Sequence, residues 1–358
     1  MELGSLRIDG LRLFDTLELA IEPGWNLFVG ANGAGKTTIL EAAYLLSHGQ
    51  SFRAGTRDAL VQQGRDGYTI HSELDSGRVR RKLAIGRFRG RLEARVGGET
   101  TTVGELMRHA AVLCFEPGSH ALLSGAANER RRFMDWGVFH VEQSFLATWI
   151  RYQRALRQRN ALLRSRSSDA ELTAWSAELT RWGEPLSLMR SRYFDGLAQR
   201  AAPLLQQLLP QLGAPRLHFR VGHDPNRSLG EELSAVQGRD QERGHTTRGP
   251  HRADWSLEFE FAPKREHLSR GQEKLAAFAL LMAQAGLYQE SQGEMPILCL
   301  DDLTSEIDRE HMDRAMGMTA DSGAQVLATA TEWSPAYEQL PGALARFHVE
   351  QGRVRRLL

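Results

Sequence analysis

Lysine is nearly missing from this chain of 358 residues: of its 45 basic side chains only Lys36, Lys82, Lys264 and Lys274 are lysines, the rest being arginine. Cysteine is scarcer still. Cys114 and Cys299 sit in short apolar stretches, AVLCF and PILCL, which excludes a disulfide framework or a thiolate metal cluster and suits two buried thiols. No apolar run approaches the ~20 residues of a membrane span. The opening MELGSLRIDG has neither the basic nor the apolar stretch of a signal peptide, so a cytoplasmic protein without a membrane partner is expected. Charge of one sign is lacking too: 45 basic and 44 acidic residues leave +1, which taken as a sum argues against a polyanion partner. The remainder is ordinary, with 41% hydrophobic and 25% charged residues, and excludes disorder, a collagen repeat and a coiled coil along the whole chain. At ~150 residues per domain the length allows two to three domains, or one large domain with an inserted lobe.

The near-zero sum hides a segregation. Residues 51–100 hold ten Arg and Lys82 against six acids, a net of +5, and residues 130–166 hold nine Arg against Asp135 and Glu142, a net of +7. Residues 290–313 run the other way, with Glu290, Glu294, Asp301, Asp302, Glu306, Asp308, Glu310 and Asp313 against Arg309 alone. Such blocks suit a polyanion-binding face plus an acidic metal or nucleotide site. They equally suit arginine taking lysine's place on solvated faces, and charge alone leaves both open.

Leu3, Leu6, Ile8, Leu11 and Leu13, then Leu17, Leu19 and Ile21, alternate with polar positions and predict two strands of a hairpin or meander. Glu22-Pro23-Gly24 turns the chain into a third, more continuous strand over 25–29, and a helix follows over 37–46. Further strands are expected within 68–96. From Glu129 the spacing becomes helical. Over 143–166 Phe145, Leu146, Trp149, Ile150, Leu156, Leu162 and Leu163 recur near helical spacing, while Arg151, Arg154, Arg157 and Arg164 take other faces. Leu172, Trp175, Leu179, Trp182, Leu186, Met189 and Tyr193 alternate spacings of three and four, a heptad seam. Pro185 either kinks that helix or divides it in two. Residues 143–210 therefore predict an antiparallel helical arm, as a lever or binding arm in one reading and as a subdomain with an ordinary core stripe in the other. Strands are expected again over 217–221 and 255–261, then a helix over 269–288, a buried strand over 296–300, a helix after Asp308 and a strand over 325–330.

Gly30-Ala31-Asn32-Gly33-Ala34-Gly35-Lys36-Thr37 fits G-x-x-x-x-G-K-[ST], in the required setting between a strand and a helix. Glycines let backbone amides wrap a phosphate where a Cβ would clash, and the helix N-terminus adds a positive dipole end. A nucleotide is expected over Gly30 to Thr37 and the adjoining Thr38, with Lys36 at its β and γ phosphates and the Thr37 hydroxyl on Mg²⁺. Ile297-Leu298-Cys299-Leu300-Asp301-Asp302 is an apolar strand ending in two carboxylates, the form that places Asp301 at Mg²⁺ and lets Asp302 polarise the attacking water as the catalytic residue. Upstream, Leu268-Ser269-Arg270-Gly271-Gln272 resembles the L-S-G-G-Q signature of ATP-binding-cassette ATPases, and downstream Ser305-Glu306-Ile307-Asp308 resembles their D-loop, with Ser305 and Asp308 its candidate residues. Taken singly, each short match is also a turn or a helix cap; order and spacing carry the resemblance. In that superfamily two heads sandwich ATP between the phosphate loop of one and the signature of the other, so Ser269, Arg270, Gly271 and Gln272 are expected to act in trans in a homodimer. The fold class this implies is α/β, a cassette-type ATPase head with a mainly helical second lobe: lobe I over 1–118 and 276–358, lobe II over 119–275. Transporters of the superfamily place their signature much nearer the phosphate loop, whereas Ser269 lies 233 residues past Lys36, which points to the chromosome-maintenance and repair branch.

Within that branch the chain resembles the RecF family of bacterial recombination mediators over nearly its whole length. The resemblance rests on Leu40-Glu41-Ala42-Ala43, Ser51-Phe52-Arg53, the stretch from Glu129-Arg130-Arg131-Arg132 to Phe133-Met134-Asp135-Trp136, Gln158-Arg159-Asn160-Ala161-Leu162 and, most specifically, Gly249-Pro250-His251-Arg252-Ala253-Asp254 followed by the signature. It implies a weak, DNA-stimulated ATPase using ATP and Mg²⁺, dimerising on ATP, binding single- and double-stranded DNA at gaps and junctions, and working with RecR and RecO to load RecA. Two positions depart from the superfamily. Where cassette transporters carry a histidine beyond the acidic strand this chain has Thr329-Ala330-Thr331, leaving Thr331 a candidate γ-phosphate sensor, and Phe115-Glu116-Pro117-Gly118-Ser119 supplies no glutamine for a glutamine loop.

For DNA the candidates are Arg53, Arg57, Arg130, Arg131 and Arg132, as phosphate contacts without base specificity. Consecutive arginines point around a helix, so at least one of the last three is also expected to pair with Asp135 or a helix end. His251 and Arg252 stand either near the nucleotide or as a brace between lobes. The competing function is a chromosome-maintenance-like head that tethers DNA with little need for ATP turnover. A small-molecule kinase is disfavoured because it needs neither signature nor D-loop.

Overall fold

The alternating N-terminal positions form a hairpin of β1 (Glu2–Leu11) and β2 (Phe14–Ala20), registered so that Leu6 faces Leu19 and Ile8 faces Leu17. The computed structural model describes residues 1–53, 57–77, 79–165, 168–302, 308–334, 337, 340 and 342–357, and these fall into two units, 1–119 with 274–358 and 120–273. After β3 (Trp25–Val29) and α1 (Lys36–His48) come the antiparallel β4 (Gly67–Ser76), β5 (Val79–Phe88), β6 (Arg91–Val96) and β7 (Glu99–Thr101), then α2 (Val103–His109) and β8 (Val112–Phe115). One sheet runs β2-β1-β4-β5-β6-β7. Ten of the thirteen residues of α1 are buried, so this helix is covered on nearly its whole circumference rather than on one stripe. Ile39, Leu40, Leu45 and Leu46 are fully buried, each stabilising the unit by roughly 1.5–3 kcal/mol.

The second unit is built on α3 (Ala121–Ser124), α4 (Ala127–Val141), α5 (Phe145–Ser165) and α6 (Asp169–Leu208), with a two-stranded ladder of β9 (Pro215–Arg220) and β10 (Asp254–Phe259) enclosing α7 (Leu229–Ala235) and α8 (Gln237–Arg243) in sequence. The heptad seam is real: Leu172, Leu179, Leu186 and Tyr193 are buried, and Trp175, Trp182 and Met189 half-buried. Pro185 does not divide the helix. It and Pro203 lie inside a helix of 40 residues, both on its exposed face, where water can satisfy the carbonyl each missing N–H leaves unbonded. Arg151 of α5 lies over the Trp182 ring of α6 at 4.4 Å, so part of the expected basic face is spent on packing. Asp135 pairs with neither Arg130, Arg131 nor Arg132 but with Arg190, through two bonds of 2.7 Å.

The chain then returns through α9 (Arg270–Gln292), β11 (Ile297–Leu300), α10 (Arg309–Asp321), β12 (Val326–Ala330), β13 (Leu344–Glu350) and β14 (Arg353–Arg356). The order of the second sheet is β14-β13-β3-β12-β11-β8, parallel except at β14. Its strands β3, β12 and β11 are buried at every position because both faces are covered, and are apolar but for Asn26 and Thr329. Gln325 joins the two sheets, accepting from Leu3 N at 2.7 Å and donating to the Leu3 and Glu22 carbonyls at 2.9 Å each. Among the described residues no helix is long and apolar enough to cross a membrane.

Candidate nucleotide-binding site

In parallel sheets the C-terminal strand ends share one edge, and sites form there. Here β3 runs into the glycine-rich loop, β11 runs into Asp301 and Asp302, and β12 lies hydrogen-bonded between them, with Thr329 in register with Phe28. The loop is seated by close backbone approach: a Cβ on Gly30 would stand 2.0 Å from the Val349 carbonyl oxygen of β13. Gly33 and Gly35 take φ of 80° and 112°, a region costly for side-chain-bearing residues. Lys36 opens α1 and donates its ammonium to the Gly30 and Ala31 carbonyls at 2.6 and 3.0 Å, inside its own loop. Burial lowers its pKa, opposed by the charges of Asp302 and Asp301. Thr38 is buried behind it.

Thr37 donates to Asp301 Oδ1 at 3.0 Å, and Thr329 donates to the same oxygen at 2.7 Å. The Thr329 hydroxyl in turn accepts from the backbone N–H of Asp302 at 2.9 Å. One hydroxyl thus holds both carboxylate-bearing residues, and Asp302 needs holding, for its φ of 50° lies in the left-handed region. Asp301 is 6% exposed; burial raises its pKa, the bonds from Thr329 and Thr37 pull it down, and the charge of Arg53 pulls the same way. Sequence reasoning named Thr331 as a candidate γ-phosphate sensor and gave Thr329 no role. Nothing local marks it: its role comes from β12 being laid between β3 and β11.

These residues suit a phosphate with Mg²⁺. The position a Cβ would take on Gly33 meets nothing within 4 Å, leaving the loop free to approach a ligand closely. The Thr37 hydroxyl and the Asp301 carboxylate are hard oxygen donors, and Mg²⁺ is characteristically held by one or two carboxylates plus substrate phosphates.

Glu41 is the buried hub behind the loop. It accepts Arg12 Nε and Nη2 at 2.5 and 2.7 Å and also the Ser51 hydroxyl, which fixes the backbone leading to Arg53. Arg53 is exposed, on the side of Asp301. Of Arg57, only the backbone is described, opening a 3₁₀ turn. Arg130 is committed to Asp254 by two bonds of 2.7 and 3.0 Å and to the Leu123 and Gly125 carbonyls at 3.2 and 2.8 Å. Arg131 donates to the Ala253 carbonyl, and Arg132 is exposed beside Glu129.

The signature opens α9 with a reciprocal cap: Gln272 N donates to Ser269 Oγ at 3.3 Å and Ser269 N to Gln272 Oε1 at 2.8 Å. Ser269 and Arg270 are exposed, Gly271 and Gln272 half-exposed, at a helix N-terminus suited to an anion. Ser305 lies outside the described residues; Asp308 caps α10, accepting from His311 N at 3.1 Å.

Residues 2–352 match the family model described as RecF/RecN/SMC N terminal domain. A DNA replication and repair protein RecF of Stenotrophomonas maltophilia (strain R551-3) is 44% identical over 364 residues, covering 99% of each chain. The chain belongs to the RecF family. A RecF of Shewanella sp. (strain MR-7) is 36% identical over 99% of each chain. Among solved structures, a recombination mediator RecF–ATP complex of the RecFOR pathway superposes on this chain with a TM-score of 0.90 at 24% identity, covering 99% of this chain and 97% of that one. The Smc head domain from Pyrococcus furiosus, bound to the C-terminal domain of ScpA, gives 0.59 at 14% identity, covering 99% and 95%. The RecF fold is therefore the α/β head that Smc proteins share.

Proposed function

We propose that this protein is an ATP- and Mg²⁺-dependent, DNA-binding recombination mediator of the cytoplasm, whose weak, DNA-stimulated ATPase acts as a switch. It pairs into a homodimer on ATP at gapped or single-strand/double-strand junction DNA and works with RecR and RecO to load RecA. The observation that carries the reading is the Thr37–Asp301–Thr329–Asp302 chain of hydrogen bonds at the ends of adjacent strands. Gly30 to Thr38 would hold the phosphates, Thr37 and Asp301 the metal, which when bound neutralises developing charge on the transferred phosphoryl. Asp302, fixed through its backbone by Thr329, would orient and deprotonate water. Ser269 to Gln272 would complete the site from the second copy, with Asp308 and Ser305 near the seam, and Arg53, Arg57, Arg131 and Arg132 would meet DNA phosphates. Arg130, tied to Asp254, supports this least. Lobe I over 1–118 and 276–358 and lobe II over 119–275 are the corresponding functional division.

Sedimentation with and without ATP and a gapped duplex tests this. Wild type shifts from monomer to dimer on ATP; Lys36→Ala loses both nucleotide binding and the shift; Ser269→Arg keeps nucleotide binding as a monomer but does not pair. Unchanged pairing of Ser269→Arg in ATP would remove the trans signature. A tethering head that hardly needs turnover has no separate observation in its favour.

A further inference from the structure

The helical unit contains a cavity that the nucleotide site does not use. It measures about 860 Å³, within the size range of ligand sites, but its wall is cationic. Arg131, Arg220, Arg239, Arg243, Arg248 and Arg252 line it, with Asp254 the one carboxylate among the lining residues. Asp254 is already engaged, by Arg130 at 2.7 and 3.0 Å and by Arg220 at 3.5 Å. Arg248 pairs with Glu232 at 3.3 Å. Among the described residues no carboxylate forms an ion pair with Arg239, Arg243 or Arg252.

Guanidinium groups gathered in one concavity repel each other. The Arg131 pKa is lowered, first by burial and then by the charges of Arg190 and Arg252, and His251 on the same wall is pushed down to about 4, by burial first and by Arg252 and Arg131 besides. Arg131, Arg220 and Arg248 have protein partners, but the charge of Arg239, Arg243 and Arg252 is balanced by no ion-paired carboxylate among the described residues, and an anion would neutralise it.

The wall is also rigidly built. Gly222, at φ 91°, lies so close to the facing backbone that a Cβ would stand 2.3 Å from the Gly249 carbonyl oxygen, and Gly249 N donates to Gly222 O at 3.0 Å. Arg252 N closes the adjoining turn onto Gly249 O at 2.8 Å, and Arg190 holds the Pro250 carbonyl at 2.7 Å. Arg239 and Arg243 are four residues apart on α8, hence on one face, and α8 is anchored from behind by the fully buried Asp240–Arg159 pair at 2.7 Å. Planar guanidinium forks on fixed supports match phosphate oxygens bidentately.

We propose that this cavity is a second phosphate-binding site, separate from the phosphate loop, for a ligand presenting several phosphates close together: either a stretch of DNA backbone or a free oligophosphate. The DNA source rests on the DNA-binding reading above; the oligophosphate source does not. Both are tested on the full chain carrying Lys36→Ala, which removes the phosphate loop's share. Tripolyphosphate is titrated by calorimetry and a short fluorescent single strand by anisotropy, against the same chain with Arg239→Gln and Arg243→Gln added, or with both changed to Lys. The two arginines are exposed, and thermal melting confirms that the variants fold. At least one probe is expected to bind and to weaken about tenfold in the Gln pair, with the Lys pair intermediate. For the strand, the slope of log affinity against log salt falls by about 1.4, two phosphates at about 0.7 each. Loss confined to the strand makes DNA the ligand, and loss confined to tripolyphosphate makes it a free oligophosphate. Failure of both probes to bind, or the absence of weakening in the Gln pair for every probe that binds, overturns the site. Strand binding that persists in the Gln pair leaves the general DNA-binding reading standing, whereas a wild-type chain that binds no DNA defeats that reading itself.

Discussion

The Thr329 hydroxyl has one proton to give and gives it to Asp301, while its oxygen accepts from Asp302 N. Thr329→Val keeps the shape and removes both bonds; Thr329→Ser keeps both. Bonds to a charged group contribute about 1.5–3 kcal/mol, so Val is expected to weaken Mg²⁺-dependent nucleotide affinity by roughly tenfold to a hundredfold, with Ser near wild type. The pH dependence has a definite sign. Asp301 has a raised pKa and, as the proposed metal ligand, must be ionised, so affinity is expected above that pKa and lost as pH falls through it. Losing the bond that pulls the pKa down moves this loss to higher pH. Titrating Mg²⁺ affinity against pH checks it, and a Val curve superimposed on wild type would remove Thr329 from the site. Lys36, by contrast, was legible from the motif because its loop is contiguous, whereas Thr329 reaches Asp301 across 28 positions of sequence through strand order alone.

Helices and strands with local causes were likewise legible. The β3 bounds, the capped start of α10 after Asp308 and the heptad seam of α6 follow from an apolar run set between a turn and a glycine loop, from capping chemistry and from spacing. Pro185 was ambiguous because a proline's effect depends on whether its freed carbonyl meets water, which a one-dimensional pattern does not tell. The Gln158-Arg159-Asn160 and Gly249-Pro250-His251-Arg252 stretches were recognisable as motifs but mute as to role. In the structure they brace one another: Arg159 binds Asp240 and Thr246 at 2.7 Å each, Asn160 accepts from Thr246 N and Oγ1 at 2.8 Å each, and the Thr246 carbonyl bonds His251 Nε2 at 3.0 Å. A carbonyl only accepts, so Nε2 carries the proton and Nδ1 accepts the Tyr152 hydroxyl at 2.7 Å. His251 is thus neutral and half-buried, with a pKa near 4 against an unfolded value of about 6.5. The unfolded chain binds the extra proton first, so stability is full above about 6.5 and falls as pH drops toward about 4, by on the order of 3 kcal/mol. Urea unfolding as a function of pH should show this decline in wild type and a flatter profile in His251→Gln; equal slopes would show that His251 does not titrate across the transition.

At the scale of the whole protein, the +1 net charge is the sum of opposed regions, an arginine-rich middle and an acidic strand end, and so does not speak against a polyanion. A switch needs its nucleotide to bind the paired state better than the unpaired one, and only that difference moves the population. Under the proposed function Asp302→Asn keeps the phosphate grip and loses the base, so it is expected to pair on ATP and to stay paired, with turnover at least about a hundredfold slower. Light scattering after an ATP chase reads the lifetime; wild-type decay would place the base elsewhere. The parallel sheet carries one more consequence. Its central strand β3 ends at residue 29, yet its neighbours β12 and β13 begin at residues 326 and 344, and the carbonyl against Gly30 belongs to Val349. During synthesis at about 5–20 residues per second, the glycine loop leaves the ribosome roughly 15–60 s before the first strand that flanks β3 has been made. A nascent or prematurely terminated chain therefore carries the most recognisable motif of the protein without a seat for it. Under the proposed function, nucleotide-driven pairing would in this way be reserved for molecules whose translation has run nearly to completion.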